Sequence, residues 1–183
     1  MRTVNLYGKE VTYILKKSKR KSISASVDKE GNLEVRAPLW VKDSFVSEFL
    51  ESNIDKIVQM LERSRLRREY EKNLGDDGFD ELMEKARSII PERVRYYSEI
   101  MGVRPKKVKI GKARTRFGSC SSEGNLNFSC RVMAYSANAV DYVVVHELAH
   151  LIHMDHSAAF WSTVEKYKPD YRKAREELKH IPE

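Results

Sequence analysis

DYVVVHELAHLIHMDHSAAFW, from Asp141 to Trp161, is the stretch on which the reading of this 183-residue chain turns. His146 and His150 stand four apart, so in a helix both project from one face and can bind a single ion. Glu147 follows the first of them, placed to act on a water at that ion without itself becoming a ligand. Tyr142, Val143, Val144 and Val145 before the pair, and Leu148, Ala149 and Leu151 after it, put this helix inside the protein. Two histidines and a glutamate in such surroundings require partners, because an unpaired polar group costs roughly 2–7 kcal/mol to bury. A metal ion would supply them.

A third donor has three candidates downstream: His153, His156 and Glu165. On a straight helix His153 shares the face of the pair but lies about 10 Å along the axis from His146, at about 1.5 Å per residue. Ligands strung along one axis cannot surround an ion tetrahedrally. A chain that turns near Met154 and Asp155 instead returns His156 from another direction and leaves one position open for water. His156 is therefore the expected third ligand, His153 a helix-end histidine, and Glu165 a helix surface residue.

Working outward, Ser157 can cap a final helical region in which Phe160, Trp161, Val164 and Tyr167 pack inward as core, before Pro169 breaks it. Upstream, Asn138 can cap the histidine-bearing helix, with Asp141 favourably near its N-terminus. Strand-like segments at Lys107–Ile110, Thr115–Ser119 and Asn125–Met133 precede it. An amphipathic helix from about Phe79 to Met101, with Pro91 as an expected kink, comes before those. Leu74–Gly78, with two glycines and two aspartates, reads as a loop. The first part alternates in strand fashion from residue 3 to 37, turns at Asp28–Asn32, and leads from about Val41 into a long helix, charged after Leu61. The chain thus reads as α+β: an N-terminal antiparallel β-sheet plus a charged helix over residues 1–75, then a small catalytic domain over 76–183.

The formal charge is +7, from 34 basic and 27 acidic residues. Much of the excess lies in Lys16–Lys21 and Arg104–Arg116, clusters able to attract nucleic acid, nucleotides or acidic substrates. Neither carries the interleaved aromatics of a nucleic-acid platform, so they read first as solvated faces. No apolar run reaches the roughly 18–20 residues that cross a bilayer, and the N-terminus lacks the pattern of a signal peptide. A cytoplasmic location is expected, with no membrane partner. Cys120 and Cys130 flank a Gly-Asn turn and read as reduced thiols.

HELAHLIHMDHSAAFW, with RTRFGSCSSEGNLNFSCRVM upstream and the linking DYVVVHELAH, resembles the YgjP-like metallopeptidase family and, more distantly, the SprT-like zincins. The likeness spans roughly Phe79 to the C-terminus. It implies a small zincin-like metallopeptidase domain in which His146, His150 and His156 bind one zinc ion and Glu147 is the catalytic base. Phe117 departs from the tryptophan usual in relatives, but an aromatic ring is retained. The resemblance also places the Arg116–Ser119 strand beside the cleft, where an edge strand can hold an extended substrate by backbone hydrogen bonds. Arg114, Arg116, Ser119 and Asn127 are then candidates for substrate contact, with sheet stabilisation as their alternative role.

The function expected is that of a zinc-dependent hydrolase, a metallopeptidase in which metal-bound water activated by Glu147 attacks a peptide carbonyl. Imidazole donors accept nickel or cobalt as well as zinc. The basic segments keep two alternatives open: a metal-dependent nucleotide pyrophosphatase, and a nucleic-acid-associated SprT-like protease.

Overall fold

The alternation near the N-terminus builds a four-stranded sheet from β1 (Arg2–Leu6), β2 (Lys9–Ser18), β3 (Ser24–Val27) and β4 (Leu33–Pro38). In the computed structural model, which describes residues 2–6 and 9–182, the strand order is β1-β2-β4-β3. This corrects the expectation of an antiparallel sheet. The pairs β1/β2 and β3/β4 are antiparallel, but β2 and β4 run parallel, with Leu15 opposite Val35. At the Asp28–Asn32 turn, Gly31 adopts φ 94° and the Asn32 N–H donates to Asp28 Oδ1 at 2.8 Å, folding β4 back along β3. β4 carries the buried Leu33, Val35 and Ala37, and so occupies a central place with β2 on its other edge. Alternation reports which face of a strand is buried, not which strand lies beside it. Glu34, also buried on β4, is paired by Lys16 and Arg36. α1 (Asp43–Ser52) completes this core with Val46 and Leu50.

α2 (Ile54–Met101) follows, and the loop expected at Leu74–Gly78 is a correction as well. Only Gly75 leaves helical geometry, at φ 63° and ψ −175°. That conformation needs glycine, whose missing Cβ permits positive φ, whereas the flanking residues continue the helix on either side. Pro91 lies within α2 without such a departure, so the break falls at glycine and not at proline. The chain divides into two units, Met1–Glu71 and Lys72–Glu183, each with its own hydrophobic core.

In the second unit, β5 (Lys107–Gly111), β6 (Gly118–Cys120) and β7 (Asn125–Ser129) form a sheet ordered β5-β7-β6, which leaves β6 at an edge. β6 and β7 are antiparallel, and β5 and β7 parallel. The strand expected to reach Met133 stops at Ser129. There the Ser129 hydroxyl donates to the Ala113 carbonyl at 2.7 Å and accepts from the Arg131 N–H, turning Cys130–Ala134 into a 3-10 helix. Cys120 lies opposite Leu126 in the register, and both cysteines are free thiols.

α3 (Ala137–Ala149) is capped by Ser136, whose hydroxyl accepts from the Ala139 N–H at 3.2 Å, and not by Asn138. Asp141 does more than face a helix N-terminus. Its two oxygens accept from Arg93 Nε and an Arg93 terminal nitrogen, each at 2.6 Å, and from the Tyr97 hydroxyl at 3.1 Å. Burial and the Asp141 charge push the Tyr97 hydroxyl up to about 12, so it remains a donor. Beside this tie, Ala86, Ile90 and Val94 of α2 pack in one core with Val140 and Val144 of α3 and with Leu126 and Phe128 of β7. α4 (Ala158–Tyr167) and α5 (Tyr171–Glu177) add Phe160, Val164, Tyr171 and Ala174. Among the described residues, no helix is long and apolar enough to cross a membrane.

Asp141→Ala leaves the Arg93 guanidinium and the Tyr97 hydroxyl without their shared acceptor. It is expected to lower unfolding free energy by about 2 kcal/mol, as charged hydrogen bonds of this kind do. Urea denaturation with an unchanged slope and a lower midpoint is the result that checks it.

Candidate metal centre

α3 is apolar nearly all round, and its β-branched run Val143–Val145 is held in a helix by burial against intrinsic preference. The helix ends at Ala149. The N–H groups of Leu151, Ile152 and His153 close back on Leu148 and Ala149, and the chain then bends through Met154 and Asp155. Asp155 Oδ1 accepts from the Ser157 N–H at 3.2 Å, and the Ser157 hydroxyl accepts from the Phe160 N–H at 3.4 Å, starting α4. His156 sits in the connection between these two anchored ends.

The turn brings His156 back to the pair on α3. Side-chain nitrogens of His146, His150 and His156 all lie within 4.8 Å of one another, and the Nε2 atoms of His146 and His156 are 3.2 Å apart. Two nitrogens bound at 2.0–2.1 Å to one tetrahedral ion stand about 3.3 Å apart. The Nδ1 atoms of His146 and His150 face other partners. His150 Nδ1 is 3.1 Å from the His153 carbonyl, which accepts its proton and leaves Nε2 with a lone pair. His146 Nδ1 is 3.5 Å from the Tyr142 hydroxyl. Burial, followed by His150, His156 and Arg175, pushes His146 down to about 3, so this imidazole is neutral at neutral pH, the form that binds metals. Burial lowers His150 too. His153 contributes its backbone carbonyl. Glu165 lies on the surface, paired with Arg172 at 2.7 Å.

Phe160 and Trp161 do more than fill the core. The fully buried Phe160 ring lies 4.5 Å from the His150 ring, 4.9 Å from His146 and 4.8 Å from His156, centroid to centroid. Trp161 stacks on His156 at 5.8 Å and on Tyr171 at 5.5 Å. One aromatic wall therefore restrains all three imidazoles.

Glu147, 5% exposed, lies on the next position of α3, and burial pushes its carboxyl up to about 8 against the opposing pull of Arg116. β6 passes directly over it. A Cβ placed on Gly118 would stand 2.5 Å from Glu147 Oε1 and 2.6 Å from its Cγ. Only glycine lets the strand and the carboxylate approach so closely. The sequence signal was present, since an isolated glycine in a strand marks a close backbone approach. The residues expected to touch substrate divide. Arg116, Ser119 and Asn127 line one cavity of about 430 Å³, where Ser119 and Asn127 are register partners on β6 and β7. Arg114 is exposed and is not among that cavity's lining residues. A second cavity, of about 280 Å³, is lined by His146 and Glu147 with Tyr142, Phe117 and Arg175, and Gly118 lines both.

Three convergent imidazoles stand beside a buried carboxylate, and the three could hold a metal ion. Residues 77–181 match the model of the family YgjP-like, metallopeptidase domain, more than half of the chain, and the protein belongs to that family. Two crystal structures are similar in part. One is the metallopeptidase zymogen of Pyrococcus abyssi abylysin, 23% identical, with 49% of this chain and 91% of that one covered and a TM-score of 0.45. The other is the metallopeptidase zymogen of Methanocaldococcus jannaschii jannalysin, 17% identical, with 49% and 92% covered and a TM-score of 0.44. No curated protein matches the chain.

Gly118→Ala should lower stability by about 1–3 kcal/mol, the usual effect of inserting a methyl group into a packed contact. An unchanged unfolding midpoint would mean that β6 moves away from α3 at no cost.

Proposed function

We propose that this protein is a zinc-dependent metallopeptidase, with His146, His150 and His156 as the metal ligands and Glu147 as general base. The observation that carries the proposal is the convergence of three ring nitrogens, two of them 3.2 Å apart, beside a buried glutamate on the same helix. The donor set fits the ion: three imidazole nitrogens with a fourth position for water is the catalytic zinc pattern. Nickel or cobalt would be accepted by the same nitrogens.

A dication held by His146, His150 and His156 would supply Lewis acidity towards the scissile carbonyl and the attacking water. Glu147 would act in its ionised form, taking a proton from the attacking water and returning it to the leaving amine; burial alone pushes its carboxyl up, and a dication held by the neighbouring histidines would favour the carboxylate. Gly118 leaves room for the carboxylate. Phe160 and Trp161 hold the imidazoles in place and exclude water from behind them. β6 offers its free edge to an extended peptide, with Arg116, Ser119 and Asn127 as contacts along the adjoining cavity. Arg114, exposed and outside that cavity's lining, is the least supported of the four as a substrate contact. The free thiols of Cys120 and Cys130 suit a reducing, cytoplasmic setting.

Glu147→Gln is expected to retain one equivalent of zinc by elemental analysis while peptide hydrolysis falls by about 10²–10⁴-fold, the usual contribution of a general base. His156→Ala should instead lose the metal, and chelation of the wild-type protein should lower its melting temperature. In parallel assays, nucleoside triphosphates should release no pyrophosphate. Full peptidase activity in Glu147→Gln would remove this residue from the mechanism.

A further inference from the structure

α5 carries a cation, Arg175, towards the metal centre, and an aromatic ring but no carboxylate meets it among the described residues. Arg175 lines the 280 Å³ cavity together with His146 and Glu147, and its guanidinium lies 5.0 Å over the Trp161 ring. Among the described residues no carboxylate pairs with it. Several charged neighbours on α5 and the following turn are engaged elsewhere: Arg172 bonds Glu165, Lys179 bonds Glu176, and Glu177 accepts from the Ser136 hydroxyl and N–H. Lys179 is the other cation lining the cavity, and Glu147 is its one acidic residue.

The cavity's size and lining together bear on what it can hold. At about 280 Å³ it is slightly smaller than common ligand sites, which begin at roughly 300 Å³, and it is open to solvent, a size that suits a side chain or a chain terminus. Whatever enters is within one side chain's reach of His146 and Glu147. Leu178 and Phe117 offer apolar lining to a methylene stem, and Arg175 offers a planar, permanently charged fork whose geometry matches a carboxylate. The indole beneath the guanidinium restricts its motion, so less freedom is lost when a carboxylate docks.

We propose that this cavity is the subsite for a substrate carboxylate next to the scissile bond, with Arg175 as the specificity-determining residue. The substrate class is a peptide with an acidic side chain adjacent to the cleaved bond or one with its free C-terminal carboxylate there. The proposal rests on the metallopeptidase reading, with Glu147 as base.

The test uses the zinc-loaded full chain and peptides that share one cleaved sequence but carry Glu, Gln or Lys beside the scissile bond, each with a free or an amidated C-terminus. The wild-type protein should favour the carboxylate by about 10- to 100-fold in kcat/KM over its uncharged counterpart, the range of a charge-assisted contact. Preference for internal Glu in amidated peptides identifies a side-chain subsite, and preference for the free acid alone identifies a C-terminal one. Arg175→Gln should bring that ratio close to one, Arg175→Lys should restore part of it, and Arg175→Glu should turn the preference towards Lys. These ratios are taken within each variant, so damage to the Trp161 packing, which slows all peptides alike, does not imitate the effect. An unchanged ratio in Arg175→Gln, or a wild-type protein indifferent to carboxylates, overturns the subsite while leaving a Glu147-dependent peptidase in place. Absence of any Glu147-dependent cleavage overturns both.

Discussion

Placing a carboxylic acid and two imidazoles on an otherwise apolar, buried helix is the constraint to which the second unit answers. A dry interior penalises each polar group that lacks a partner, and it also penalises charge on the groups that stay. Both consequences are visible in α3. His146 is held neutral and Glu147 is held towards its protonated form by the same burial. The surrounding elements then meet the polar demands one by one: a carbonyl for His150, a hydroxyl beside His146, and a third imidazole returned by the turn before α4.

Precision at such a site comes from packing more than from hydrogen bonds. Phe160 touches the three histidine rings at once, and Trp161 extends the wall to Tyr171. The opposite side is closed by backbone, because Gly118 brings β6 to within a side chain's thickness of Glu147. A rigid aromatic wall and a rigid strand leave the carboxylate and the imidazoles few alternative rotamers, which is what preorganised chemistry needs. The Asp141–Arg93–Tyr97 network supports this from further away by fixing α3 to α2.

The first unit shows a different balance. Its sheet gains a parallel central pair because the most apolar strand, β4, is central, and no feature of local alternation demanded that neighbour. Glu34 is tolerated inside it only because Lys16 and Arg36 converge there from β2 and from β4 itself. Part of the basic excess at Lys16–Lys21 is thus spent on structure: Lys16 pairs Glu34, and Lys17 pairs Asp43 and donates to the Val41 carbonyl.

The sequence by itself determined the ingredients whose logic is local. Spacing of four put His146 and His150 on one face, the apolar flanks put that face inside, the geometry of a straight helix turned attention from His153 to His156, and motif resemblance named the family. Alternation and turn residues located most strands and helices for the same reason, since they depend on neighbours a few positions apart. Tertiary structure decided what depends on distant segments meeting. It made β2 and β4 parallel, confined the expected loop to Gly75, moved the α3 cap from Asn138 to Ser136, and gave Asp141 to Arg93 across 48 positions of sequence. It also turned Phe160 from filler into the wall of the histidine cluster, set Gly118 against Glu147, and brought Arg175 into the same cavity. Periodicity reports the face a residue presents, whereas the partner it meets is set by how whole elements pack, and that is not written in any short stretch of chain.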